Sequence, residues 1–145
     1  MFKAIPYLCT DRANEMLEFY QEHFGAVVKN KTMGNDEKFK GSAEEFQMPE
    51  EVAKDFVMNA EFELMGQTFM VSDSWGKKPV NNEGASICFT FDGKNEAEVE
   101  QAKAFYQKAL DTDCEITMPL GETEWTNLYA MFNDPFGITW MISAY

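Results

Sequence analysis

Apolar and polar positions along this chain fall into two rhythms, a period of two and a period near 3.6, and their order predicts the elements. Residues 3–10 read as a strand, with Pro6 marking an edge or a bulge. Asp11 then stands where a helix N-cap is wanted, its carboxylate able to accept from orphan amides. Met16, Phe19, Tyr20 and Phe24 recur at helical spacing, so 12–24 is an amphipathic helix stopped by Gly25. Residues 26–33 read as a strand, 34–55 as a polar stretch with a short helical turn at Pro49–Val52, and 56–65 and 67–73 as two strands joined tightly at Gly66.

The order then recurs. Residues 84–91 read as a strand closed by Asp92, 95–110 as a helix carrying Val99, Ala102, Phe105, Tyr106 and Ala109 on one face, and 114–120 as a strand. Two further strands, 127–133 and 138–144, flank Asp134-Pro135-Phe136-Gly137, a strong turn signal with Pro and Gly at the positions that such turns favour. The recurrence extends to residue identity. Gly66-Gln67-Thr68-Phe69-Met70-Val71-Ser72 returns as Gly137-Ile138-Thr139-Trp140-Met141-Ile142-Ser143, and Phe19-Tyr20-Gln21 returns as Phe105-Tyr106-Gln107. The chain therefore reads as one domain built of two β-α-β-β-β modules, about 1–75 and 84–145. The first is longer by the 34–55 insertion, a lid-like loop or a passive one.

Alternation within the copied heptads separates two faces. Phe69 and Val71, with Trp140 and Ile142, point one way and should carry the helices. Thr68, Met70 and Ser72, with Thr139, Met141 and Ser143, point the other way, unless the methionines merely fill a core. Asn59, Glu61 and Glu63 also share one face of a strand. Glu61 is a candidate general base if burial raises its pKa, but an outward polar edge is the favoured reading. Trp125 and Tyr129 are candidates to wall a pocket and stack on a flat ligand, or else to pack.

Composition narrows the partners. Twenty-five acidic against twelve basic residues leave a net charge of −13, which disfavours nucleic acid and anionic membrane surfaces. No apolar run is long enough for a membrane span, and the N-terminus does not read as a signal peptide, so a cytoplasmic location is expected. Cys9, Cys88 and Cys114 lack CxxC spacing and read as reduced, buried thiols. The single histidine, His23, reads as an exposed helix-end residue favourable to the dipole, and Arg12 as a solvated side chain.

Paired β-α-β-β-β modules, Glu-Phe-Tyr on the first helix, and Asp-Pro-Phe-Gly before the last strand resemble the vicinal oxygen chelate superfamily. That group includes glyoxalase I, bleomycin-resistance proteins and extradiol dioxygenases. The run Met118-Pro119-Leu120-Gly121-Glu122-Thr123-Glu124-Trp125, followed by Met131 to Ile142, resembles its PhnB-like branch. The resemblance implies an α+β fold in which two βαβββ modules form a curved eight-stranded mixed sheet around a cleft. It also implies a homodimer, and often a divalent metal held by His and Glu. Carried onto this chain, the four metal-ligand positions are Ile5, Ser86, Met70 and Met141. None suits a hard or borderline divalent ion, which wants carboxylate oxygen or imidazole nitrogen. PhnB-like relatives commonly have a histidine where this chain has Asn59.

The expectation is therefore a PhnB-like protein that binds a small organic molecule in its cleft, without metal or other cofactor. The expected lining is Asn59, Thr68, Met70, Ser86, Trp125, Thr139 and Met141. Two alternatives stay open: a metal-dependent lyase- or dioxygenase-type enzyme with a non-standard site drawing on Glu61, Asn59 or Cys9, and a drug-sequestering protein of the bleomycin-resistance kind. No glycine-rich loop follows a strand, so a Rossmann-type nucleotide site is not expected.

Overall fold

A computed structural model describes residues 1–39, 48–74 and 79–145. Contacts divide the chain into two compact units, Met1–Val80 and Asn81–Tyr145. In the first unit β1 (Tyr7–Thr10) leads to α1 (Ala13–Phe19), whose last turn widens into a π-helical turn over Tyr20–Phe24. Gly25, at φ 76°, ends it in the left-handed conformation. Then follow β2 (Val27–Met33), the short α2 (Glu50–Ala53), β3 (Val57–Leu64) and β4 (Gln67–Asp73). Of the 34–55 insertion, residues 34–39 hold a turn and a 3₁₀ turn at Glu37–Phe39, and residues 40–47 lie outside the described residues.

The second unit runs β5 (Ser86–Phe91), α3 (Glu96–Leu110), β6 (Glu115–Gly121), β7 (Tyr129–Asn133) and β8 (Thr139–Ala144). The eight expected strands are thus present as two four-stranded sheets, ordered β1-β4-β3-β2 and β5-β8-β7-β6. In each sheet the outermost pair (β1 with β4, β5 with β8) is parallel and the other pairs are antiparallel. A parallel pair needs a crossover, and the helix and intervening strands supply one in each unit.

One face of each sheet is sealed. In the first unit Phe62, Phe69, Val57 and Val71 are fully buried with Met16 and Tyr20 of the helix. Tyr20 meets Phe62 at 5.6 Å, and Phe62 stacks on Phe69 at 5.3 Å. In the second, Phe105 of α3 meets Trp140 edge-on at 5.9 Å and Phe132 at 5.4 Å. Each such buried aromatic contributes roughly 2–3 kcal/mol as an upper estimate.

Several local expectations need correction. The first strand begins at Tyr7 rather than residue 3. Residues 1–6 have no strand pairing, and the Pro6 carbonyl only accepts from the Met70 N–H at 3.0 Å. Asp11 does not cap α1. Arg12 holds the cap position, and the Ala13 N–H is taken instead by the Asp73 carboxylate at 2.8 Å, which also accepts from Val57 N at 2.8 Å. A carboxylate sixty residues away thus does what a neighbour was expected to do. In α3 the cap is local, Asn95 accepting from the Ala97 and Glu98 amides. Cys9 and Cys114 are half-buried and Cys88 is exposed, so the thiols are free but not sealed in the core. Finally, β3 is an interior strand, so the Asn59-Glu61-Glu63 face is not a sheet edge.

Candidate functional site

The face opposite the helices is the one left open in each unit, and strand register decides what it presents. Residues directly opposite each other in a sheet point the same way. In the first unit the row through Met70 reads Tyr7, Met70, Glu61, Asn30 across β1, β4, β3 and β2. Thr68 faces Glu63 in the row beside it, and Cys9 faces Ser72 on the other side. Thr68, Met70 and Ser72 are half-buried, whereas their neighbours Phe69 and Val71 are sealed. The methionines therefore do not fill the helix-side cores.

In the second unit Ser86 faces Thr139, Cys88 faces Met141, and Thr90 faces Ser143. Met141 in turn faces Met131, and Met131 faces Met118 across a bulge. Four sulfur-bearing side chains thus occupy one row across all four strands. Thr139 donates to the Asn133 side chain at 2.6 Å, fixing a hydroxyl beside that row. The residues that meet Met70 and Met141 across the parallel pairs are Tyr7 and Cys88, one pleat along from Ile5 and Ser86. Sequence reasoning passed over both, because only the strand register identifies them.

The sequence candidates are placed as follows. Asn59 donates to the Tyr7 hydroxyl at 3.3 Å. Glu61 is half-buried, shares the open face with Met70, and has no hydrogen-bond or ion-pair partner among the described residues. Glu63 is paired with Lys29 at 3.7 Å. Thr68 and Met70 stand together in the first unit, and Ser86, Thr139 and Met141 in the second. Trp125 is set apart from them. It lines a surface recess of about 370 Å³ with Lys94, Glu122, Glu124, Asn127 and Tyr145, and meets Tyr129 edge-on at 5.4 Å. Tyr129 faces Ser143 and so links the two places. His23 lies against Phe19 at 4.7 Å near the end of the first helix.

Thiol electrostatics follow the surroundings. Cys88 is exposed as a residue, yet partial burial of its sulfur pushes the thiol above its ordinary range. Burial chiefly, then the Asp134 and Asp113 carboxylates, push Cys114 up to about 12. Burial, with the Asp73 charge, raises Cys9, and burial, then Cys88, raises the Tyr129 phenol.

The divalent metal that the resemblance brings with it does not fit these residues. Thioether, hydroxyl and alkyl groups stand at the four positions, and soft neutral sulfur is a poor donor for such ions. Among the described residues no three His, Cys, Asp or Glu side chains come together as a metal centre needs. Glu61, Asn59 and Cys9 share a face, yet no such cluster forms from them. No helix among the described residues is long and apolar enough to cross a membrane.

Comparison with known proteins agrees with this architecture. Protein PA1353 from Pseudomonas aeruginosa has 25% identity and a TM-score of 0.71, the match covering 99% of this chain and 98% of that one. A PhnB protein from Bacillus cereus has 24% identity and a TM-score of 0.66, covering 99% and 100%. The fosfomycin resistance protein FosX from Listeria monocytogenes shares the fold at 12% identity, with a TM-score of 0.63 and coverage of 98% and 91%. No curated protein sequence matches. The sequence profile of one family matches residues 4–142, almost the whole chain, and the chain belongs to it: the glyoxalase/bleomycin resistance protein/dioxygenase superfamily.

Proposed function

We propose that this protein binds a small, partly apolar organic molecule on the open Thr-Met-Ser faces of its sheets, and does so without a divalent metal. One observation carries the reading. Each sheet seals one face with aromatic and aliphatic side chains, while the other keeps Met70 or Met141 half-exposed among hydroxyls. Methionine is flexible and polarizable, and surfaces rich in it adapt to varied apolar ligands. Hydroxyls such as Thr68, Ser86 and Thr139 add the few polar contacts that orient a bound molecule. The likeness to a PhnB protein supports a fold suited to this role. Catalysis by metal activation has no donor set to start from among the described residues, and no reaction is assigned.

Methyl-selective NMR tests the proposal. Methionine ε-methyl groups report on Met70 and Met141 individually once M70L and M141L identify their signals. Titration with a panel of small organic molecules, a cationic drug of the bleomycin type included, should give saturable shifts at one of these methyls. M70Q or M141Q should weaken that binding at least tenfold. Compounds that bind without moving either methyl, or a panel that gives no binding, would overturn the proposal.

A further inference from the structure

The sulfur row of the second unit has a chemistry of its own. Cys88, Met141, Met131 and Met118 stand side by side on β5, β8, β7 and β6, each opposite the next in register. Cys88 is exposed and the three methionines are half-buried, so the row is open to solvent along its length. Neighbouring strands lie about 4.8 Å apart, so Cys88 and Met131 flank Met141 across about 9.6 Å. Side chains directly opposite on one face of a sheet lie within reach of each other, so the sulfurs of this row can converge on one cation through bonds of the zinc–sulfur length, roughly 2.3 Å. Met141 stands between Cys88 and Met131 in register, and the three rotatable bonds of each methionine give the adjustment needed.

We propose that Cys88, Met141 and Met131 form a site for a soft monovalent cation of the copper(I) or silver(I) class, with Met118 available as a fourth donor. Thiolate and thioether donors select this class over zinc, manganese or magnesium, which the same surface serves poorly. The site is independent of any organic ligand, though it lies on the same face. On binding, the Cys88 thiol gives up its proton to solvent as the sulfur–metal bond forms, and the methionine sulfurs coordinate through lone pairs with no change in protonation. No electron is transferred, since the metal enters and stays in its monovalent state.

The test uses the full chain carrying C9S and C114S, so that Cys88 is the sole thiol, and methionine ε-methyl labelling. Silver(I) nitrate, or copper(I) held by a chromophoric chelator under anaerobic conditions, is added in steps. The expected result is one equivalent bound, with the Met131 and Met141 methyl signals displaced together and Met16 unmoved. M131L and M141L should each weaken binding at least tenfold, and C88S more strongly. Both leucine variants keep the volume and apolarity of the side chain, so a fold defect would show instead at the buried Trp140 indole of the same unit. Binding that leaves the Met131 and Met141 methyls in place, or that M131L and M141L do not weaken, is capture by an isolated thiol and overturns the proposal. No uptake at all overturns it equally. Because copper(I) and organic ligands are titrated separately, failure of one reading leaves the other intact.

Discussion

Replacing Asp134 should remove a larger share of stability than any other single polar substitution in the second unit. Its side chain is buried, at 5% exposure. One oxygen accepts from the amides of Phe136 at 2.9 Å and Ile138 at 3.0 Å, and the other from the Trp140 indole N–H at 2.9 Å. The carboxylate therefore ties the β7–β8 turn to the largest side chain in the core. In D134A two donors, Ile138 N–H and the indole N–H, are left buried without a partner, while Phe136 N–H lies nearer water. Orphaning a buried donor costs about 1–3 kcal/mol and losing a charged hydrogen bond about 1.5–3 kcal/mol, so a loss of about 4 kcal/mol is expected. D134N keeps an oxygen for the two amides but turns its NH₂ toward the indole N–H, donor against donor, and should cost about 2 kcal/mol. W140F removes that conflict, so the cost of D134N should fall to about 1 kcal/mol in its presence, a coupling of the size found between contacting residues. Urea unfolding followed by far-ultraviolet circular dichroism measures each corner of the cycle. A D134A protein within about 1 kcal/mol of the parent, at unchanged m-value, would refute the assignment of Asp134 as the anchor of this turn.

Three further outcomes are expected. Met65 is the one non-glycine residue described with positive φ, at 53°, beside Gly66 at 73° in the two-residue β3–β4 hairpin. That conformation suits Asn-Gly, so M65N should raise stability by about 1 kcal/mol, read as a shifted urea midpoint; an unchanged or lower midpoint would contradict this. D73A should cost about 2 kcal/mol, since Asp73 holds both Ala13 N–H and Val57 N–H. A protease-sensitivity assay should show the first helix loosened in D73A, and intact protection would count against the clamp. Cys114 stays protonated in the fold to about 12, against an ordinary 9.0 when unfolded. Its contribution is therefore complete below about pH 9 and is lost as pH rises from there toward 12, because ionisation favours the unfolded chain. Thermal melts across that range should fall more steeply for the parent than for C114A, and parallel curves would contradict the raised thiol.

The periodicity of the chain carried most of the element order, because helix and strand rhythms, glycine stops and Asp-Pro-Phe-Gly turn chemistry are local signals. The alternation of Phe69 and Val71 against Thr68, Met70 and Ser72 separated the sealed face from the open one for the same reason. What stayed hidden depends on register. Two β-bulges in β6, one in β2 and one in β3 shift partners by one residue, and no local pattern announces them. The alignment of Cys88, Met141, Met131 and Met118, and the placing of Tyr7 beside Met70, follow only once strands are paired. The Asp73 clamp escaped notice because its two partners lie far away in sequence. Asp134 was legible as a turn residue, but not as the acceptor for Trp140. Trp125, which the sequence leaves open between a pocket wall and packing, lines a recess separate from the Thr139–Met141 row.

The most direct measurement is a ligand titration read at the Met70 and Met141 methyls, run once in excess chelator and once with manganese(II) or zinc(II) added. Metal-independent binding on the open faces predicts the same saturation curve in both, with M70Q or M141Q weakening it at least tenfold. A curve that vanishes in chelator and returns with the divalent ion would contradict the account.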